Sequence, residues 1–114
     1  MEVQSIARTD AVTCVKLIGK LDIAGTNAAD IRFHSLTAAQ GNPCIVDLSE
    51  MTFIASIGMG MLVTCAQALS RNGSKMVLLN PQPEVAKALK IAGIDAACPI
   101  AESDDEALAI LHVD

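Results

Sequence analysis

Ser56 stands where one structural signal ends and another begins. In Asp47-Leu48-Ser49-Glu50-Met51-Thr52-Phe53-Ile54-Ala55-Ser56-Ile57-Gly58-Met59-Gly60, an apolar strand runs into a short polar turn and then a glycine-containing helix start. A serine at such a junction caps the helix through its side-chain oxygen, and its loss would cost about 1 kcal/mol. The same hydroxyl, if it faces water, is open to a second chemistry. A kinase acting there would add about −1.5 to −2 charges beside helix amides that can receive an anion. On local sequence alone the plain cap is the simpler reading. Gly58 and Gly60 admit two readings, tight packing of the helix start or close approach of a partner to the backbone. Met59 lies off the apolar stripe of the following helix, so an exposed contact made with Ile57 is weighed against burial.

The other reactive side chains fall short of a catalytic arrangement. Gly58 and Gly60 lack the third glycine of a dinucleotide fingerprint, and no Gly-Lys-Ser/Thr ending marks a phosphate-binding loop. No G-x-S-x-G elbow surrounds Ser56. His34 falls within a predicted helix and His112 near the last residue, poor positions for a general base. Asp22 and Asp47 each end a predicted strand, where aspartate commonly bonds to turn amides. The acidic run 104–106 reads as helix capping and dipole compensation. Cys14, Cys44, Cys65 and Cys98 show no C-x-x-C spacing and sit mostly in apolar runs, as buried thiols do. No catalytic residue, metal ligand or cofactor is assigned, and the reading is not an enzyme.

Composition narrows the partners. The 114 residues suit one domain, 1–114. A net charge of −5, with no Trp or Tyr and no basic cluster, argues against nucleic acid. No apolar run approaches the roughly 20 residues of a membrane span, so no direct membrane insertion is expected. The first residues do not resemble a secretory signal, and the expectation is a cytoplasmic protein.

The elements that must position Ser56 follow from periodicity. Residues 3–7 and 12–18 read as two strands around a polar turn. A helix capped by Thr26 or Asn27 carries Ala29, Phe33 and Leu36 at helical spacing and stops at Gly41. Residues 44–48 form a near-continuous apolar run, expected of a central strand covered on both faces. After a turn over 49–55, a helix at about 57–71 presents Met61, Leu62, Cys65, Ala68 and Leu69. Then come a buried strand at 75–79, a helix carrying Val85, Ala88, Leu89 and Ala92, a short strand within 94–100, and a last helix behind the capping-box spacing of 103–106. The order β-β-α-β-α-β-α-β-α predicts an α/β fold, with about four helices on a mixed, mostly parallel sheet of four to five strands.

Two segments resemble the STAS domain, the family named for sulfate transporters and anti-sigma factor antagonists. Gly19-Lys20-Leu21-Asp22 is similar to its G-x-L-D segment. Asp47-Leu48-Ser49, followed by Phe53-Ile54-Ala55-Ser56-Ile57-Gly58-Met59-Gly60, is similar to its D-L-S…F-[IML]-D-S-[SA]-G-[LM]-[GR] signature. The resemblance covers nearly the whole chain. It implies a bacterial regulator that binds an anti-sigma factor with serine kinase activity and so releases a sigma factor. Ser56 matches the serine that such a kinase phosphorylates to end binding, and a phosphatase would reset it. The implied partner surface comprises Asp22, Ser49, Thr52, Ala55, Ser56, Ile57, Gly58 and Met59. Two positions depart from the pattern. Ala55 replaces the acidic residue before the acceptor, and Ile57 replaces a small residue after it. Other roles in the family are a non-phosphorylated scaffold, a transport-complex subunit, and a module that binds a small ligand or nucleotide.

Overall fold

In the computed structural model, which describes residues 1–112, the chain begins with two strands, β1 (Glu2–Ile6) and β2 (Thr13–Leu21). There follow α1 (Ile23–Leu36), β3 (Cys44–Asp47), β4 (Met51–Ile54), α2 (Ser56–Arg71), β5 (Met76–Leu79), α3 (Pro83–Ile91), β6 (Ile100–Ala101) and α4 (Asp104–Ile110). The sheet runs β1-β2-β3-β5-β6, with β4 also paired to β2. Among the described residues only the β1–β2 pair is antiparallel. The expected α/β class, its mostly parallel sheet and its four helices are all present.

The sheet has one strand more than the sequence pattern suggested, and the length of β2 explains it. Residues Thr13–Lys16 pair with Cys44–Asp47, which uses only the first half of β2. The chain then jogs: Asp47 Oδ1 accepts from the Ser49 amide at 2.9 Å, and the Met51 amide donates to the Leu48 carbonyl at 3.0 Å. Beyond the jog, Met51, Phe53 and Ile54 pair with Gly19, Lys20 and Leu21 across a register shift. The segment expected as a turn therefore continues the line of β3 as β4. Its backbone groups find their partners on the part of β2 that β3 leaves free. An ion pair between Lys16 and Glu50 spans the jog.

Alternation along the strands sets the two faces. Val15, Leu17, Val46 and Leu78 point to one side, where they pack with Phe33 of α1, Leu62 and Leu69 of α2, and Val85 and Leu89 of α3. Cys14, Ile45 and Val77 point to the other, against Ala107 and Leu111 at α4. The central strand 44–48 is covered on both faces as its composition required. All four cysteines are buried and free. Burial pushes the thiols of Cys14, Cys44 and Cys65 up from their ordinary range, and that of Cys98 up to about 12, because a thiolate is poorly solvated there.

Several boundaries differ from the sequence reading. Helix α1 starts at Ile23, with Asp22 as its cap, while Thr26 is buried inside the first turn. The region 94–100 holds a 3-10 turn, Ile94–Ala96, and its strand begins only at Ile100. The buried stripe of α2 takes Ala66 in place of Ala68. At α4, Ser103 Oγ accepts from the Glu106 amide at 3.1 Å. The Glu106 carboxylate reaches back to the Glu102 amide at 3.1 Å, one residue before the cap.

Candidate functional site

The parallel strands deliver α1 and α2 to the same end of the sheet. Leu21 and Ile54 are register partners at the ends of β2 and β4, and the Ala55 amide donates to the Leu21 carbonyl at 2.9 Å. Asp22 and Ala55 thus leave the sheet side by side, each at a helix start. Asp22 is half-buried, and its Oδ1 accepts from the Gly25 amide at 2.7 Å. That bond satisfies one of the unpaired amides at the start of α1.

Ser56 does not cap α2. Ala55, with φ −96° and ψ 167°, holds the cap position and Ser56 is the first helical residue. The difference arises because β4 runs on to Ile54, so the helix begins one residue earlier than the sequence pattern suggested. Ala55 brings no side-chain acceptor, and the first intrahelical bond runs from the Met59 amide to the Ala55 carbonyl at 3.1 Å. The amides of the first turn are therefore uncapped by any side chain. Ser56 itself is exposed. Chemically this is a water-facing hydroxyl at the positive end of a helix of 16 residues.

The neighbouring residues divide between inward and outward roles. Gly58 is buried, and a Cβ built on it would lie 2.7 Å from Leu21 Cγ and 2.9 Å from the Leu21 carbonyl oxygen. It is a packing glycine that lets α2 press onto β2, and it has no surface to offer a partner. A Cβ on Gly60 would meet nothing within 4 Å. Ile57 is 43% exposed, and Met59 is half-buried against the core. Thr52 is exposed, with its hydroxyl 3.4 Å from the Gly19 carbonyl. Ser49 lies before the start of β4, so the whole strand, roughly 13 Å for four residues, intervenes between it and the start of α2; its carbonyl accepts from Gln82 Nε2 at 3.1 Å. Of the expected surface, the fold gathers Asp22, Ala55, Ser56 and Ile57 at one place, with Thr52 nearby along β4, and leaves Ser49 apart.

Phe53 is a further exposed residue near this end of the sheet that was not singled out from the sequence; with Thr52 it lines a shallow depression against Glu84 and Ala88 of α3. It is 48% exposed on β4, three residues before Ser56. Thr52 and Phe53 are exposed in succession at the register shift, a break in strand alternation that only the pairing with β2 reveals. His34 is exposed on α1 about 16 Å along the helix from its start, so it is not placed as a base for Ser56. Among the described residues, no group of three His, Cys, Asp or Glu side chains is arranged to hold a metal ion. No helix among them is long and apolar enough to cross a membrane.

A family model described as the STAS domain matches residues 4–107. An anti-sigma F factor antagonist of Paenibacillus polymyxa is 26% identical over 105 residues, which cover 90% of this chain and 88% of that protein. Among solved structures, an anti-sigma factor antagonist from Mycobacterium paratuberculosis superposes with a TM-score of 0.80 at 21% identity, covering 97% of this chain and 95% of the other. The Bacillus cell fate determinant SpoIIAA in its phosphorylated form gives a TM-score of 0.68 at 22% identity, covering 96% and 98%.

Proposed function

This chain belongs to the STAS domain family, and on that footing we propose that it is an anti-sigma factor antagonist switched by phosphorylation of Ser56. The partner is an anti-sigma factor with serine kinase activity, met by the surface around Asp22, Thr52, Phe53, Ala55, Ser56 and Ile57. Binding, not turnover, is the activity of this chain: engagement occupies the anti-sigma factor and frees a sigma factor, in the cytoplasm. One observation carries the reading, the exposed Ser56 hydroxyl at the uncapped start of α2. A phosphoryl group there would lie within reach of first-turn amides and the positive end of the helix, so the fold tolerates it. The partner surface would instead gain a strong negative charge at its centre. A phosphatase would restore binding.

The test is incubation with candidate anti-sigma kinases and ATP, phosphate location by mass spectrometry, and partner binding by wild type, Ser56→Ala and Ser56→Asp. Phosphate at Ser56 and at least tenfold weaker binding by Ser56→Asp are expected, the tenfold equal to about 1.4 kcal/mol. Phosphate on another residue, or Ser56→Asp binding as well as wild type, would sink the switch.

A further inference from the structure

Between α1 and α2 lies a groove of about 690 Å³, within the size range of small-molecule sites. Each helix contributes residues at helical spacing: Thr26 and Asp30 from α1, and Ile57, Gly60, Met61 and Cys65 from α2. Gly60 faces this space directly, since a Cβ there would meet nothing within 4 Å. The apolar wall continues to Ile31, which is 85% exposed. Packing normally closes such a seam between neighbouring helices. Here it stays open.

A second observation points to an occupant. Thr26, part of the groove wall, is 4% exposed, and its Oγ1 is buried with no hydrogen-bond partner. Buried hydroxyls are nearly always satisfied, and one left unpaired costs stability. Threonine in a helix has two accessible χ1 wells, so rotation about one bond can turn this hydroxyl toward a guest. The charge of the wall selects among guests: its one carboxylate is Asp30, none of the described residues lining it is Lys or Arg, and His34, one turn further along α1, is the only other titratable side chain on it besides Cys65. The whole chain carries −5, which disfavours an anion further.

We propose that this groove binds a small organic cation, an apolar body carrying one amine, with the body over Gly60 and Met61, the amine at Asp30 and a polar edge at Thr26. The site is separate from the phosphoacceptor and does not depend on its assignment. The two adjoin, because Ile57 follows Ser56 directly and forms part of the groove wall.

Tryptamine is a suitable probe, compared with its neutral counterpart tryptophol and with the anion indole-3-acetate. Amide-resolved NMR titration of the full chain should show saturable shifts confined to α1 and α2, with a Kd of about 1 mM for a ligand of this size. Tryptophol should bind roughly threefold and indole-3-acetate at least tenfold more weakly. Gly60→Leu, which fills the groove from an open position, should abolish saturation without lowering Tm. Asp30→Asn, on the exposed rim, should erase the preference for tryptamine over tryptophol. Thr26→Val should raise the Tm of the free protein while weakening tryptamine binding about threefold. No saturation by about 10 mM, equal binding of the anion, or unchanged binding by Gly60→Leu would each overturn the proposal. A Tm lowered by Thr26→Val would show that the hydroxyl is already satisfied, and would remove its part in recognition.

Discussion

Two glycines two residues apart on α2 should respond oppositely to the same substitution. At Gly58, an added Cβ would lie 2.7 Å from both Leu21 Cγ and Leu21 Cδ2, and 2.9 Å from the Leu21 carbonyl oxygen. Ordinary carbon contacts lie at about 3.5–4.0 Å, so the overlap is about 1 Å on several atoms at once. Leu21 is fully buried and has little room to change rotamer. Its carbonyl also holds the Ala55 amide at 2.9 Å, so lifting the helix start breaks that bond. Overpacking of this kind costs about 1–3 kcal/mol, and loss of the hydrogen bond adds about 1 kcal/mol. The helix preference of alanine over glycine returns about 1 kcal/mol. The expected net loss for Gly58→Ala is about 1–3 kcal/mol, or roughly 4–12 °C in Tm at this size. Gly60→Ala meets nothing within 4 Å, so it keeps only the helix-preference gain and should raise Tm by about 2–4 °C. Far-UV circular dichroism is the assay of choice, since the chain has no Trp or Tyr to report by fluorescence. A Gly58→Ala protein as stable as wild type would refute the close approach of α2 to β2. Equal shifts for the two variants would show that backbone propensity alone governs both.

Further outcomes follow from the caps, the ion pairs and the thiols. Ser56→Ala should change stability by less than about 0.5 kcal/mol because Ser56 caps nothing, whereas Asp22→Ala should cost about 1 kcal/mol in urea denaturation; the reverse order would return the cap to Ser56. Arg8 donates to Asp10 at 2.9 and 2.8 Å and to Asp104 at 2.8 Å, and its hydrogen bonds hold the Asp10 carboxyl below its ordinary range. A carboxylate depressed by folding contributes stability above its unfolded pKa and loses it as pH falls through the folded one. The destabilisation caused by Asp10→Asn should therefore be present near pH 7 and shrink at about pH 3, and a pH-independent effect would argue against the pairing. A thiol reagent at about pH 8 should leave all four cysteines unmodified until urea unfolds the chain, since each is buried with a raised pKa; rapid labelling of the native protein would contradict that burial.

The parts of the fold legible in the sequence are those in which local pattern and tertiary environment agree. Residues 44–48 and 75–79 are continuous apolar runs, and both become inner strands with neighbours on each side. The α2 stripe of Met61, Leu62, Cys65 and Leu69 was readable for the same reason. The misplaced boundaries cluster where β2 decides the outcome from a distance. Met51–Ile54 is only four residues long and exposes Thr52 and Phe53 in succession, so it carries no strand alternation of its own. It becomes a strand because β2 has an unpaired upper third. The cap of α1 was equally underdetermined, since Asp22, Thr26 and Asn27 are all competent caps. Asp22 takes the role because α1 starts directly off the end of β2. Gly25 makes this possible, as any Cβ there would strike the Lys20 carbonyl. Ser56 was legible as a helix-start residue, but its exact position depends on a strand that the local pattern hides.

That one-residue shift bears directly on how a phosphoryl switch would work. A capping serine would have its oxygen occupied by a helix amide, and modification would compete with the fold. At the first helical position the hydroxyl is exposed, while Gly58, Met61, Leu62 and Cys65 carry the packing on the other side of α2. A phosphoryl group would therefore change the surface charge without entering the core, and the helix dipole would favour it locally. Ala55 sharpens the contrast. With no carboxylate immediately before the acceptor, the unmodified helix start carries no acidic residue in its first turn, so a phosphate would be the first negative charge on that turn, with Asp22 on the neighbouring helix start the nearest carboxylate the fold brings to this surface. Ile57, 43% exposed beside it, is an apolar position that, under the proposed reading, a partner would find next to that charge. The two departures from the family pattern are thus compatible with a switch, in which desolvation of a new charge at an apolar position would add to whatever repulsion a partner's acidic groups supply.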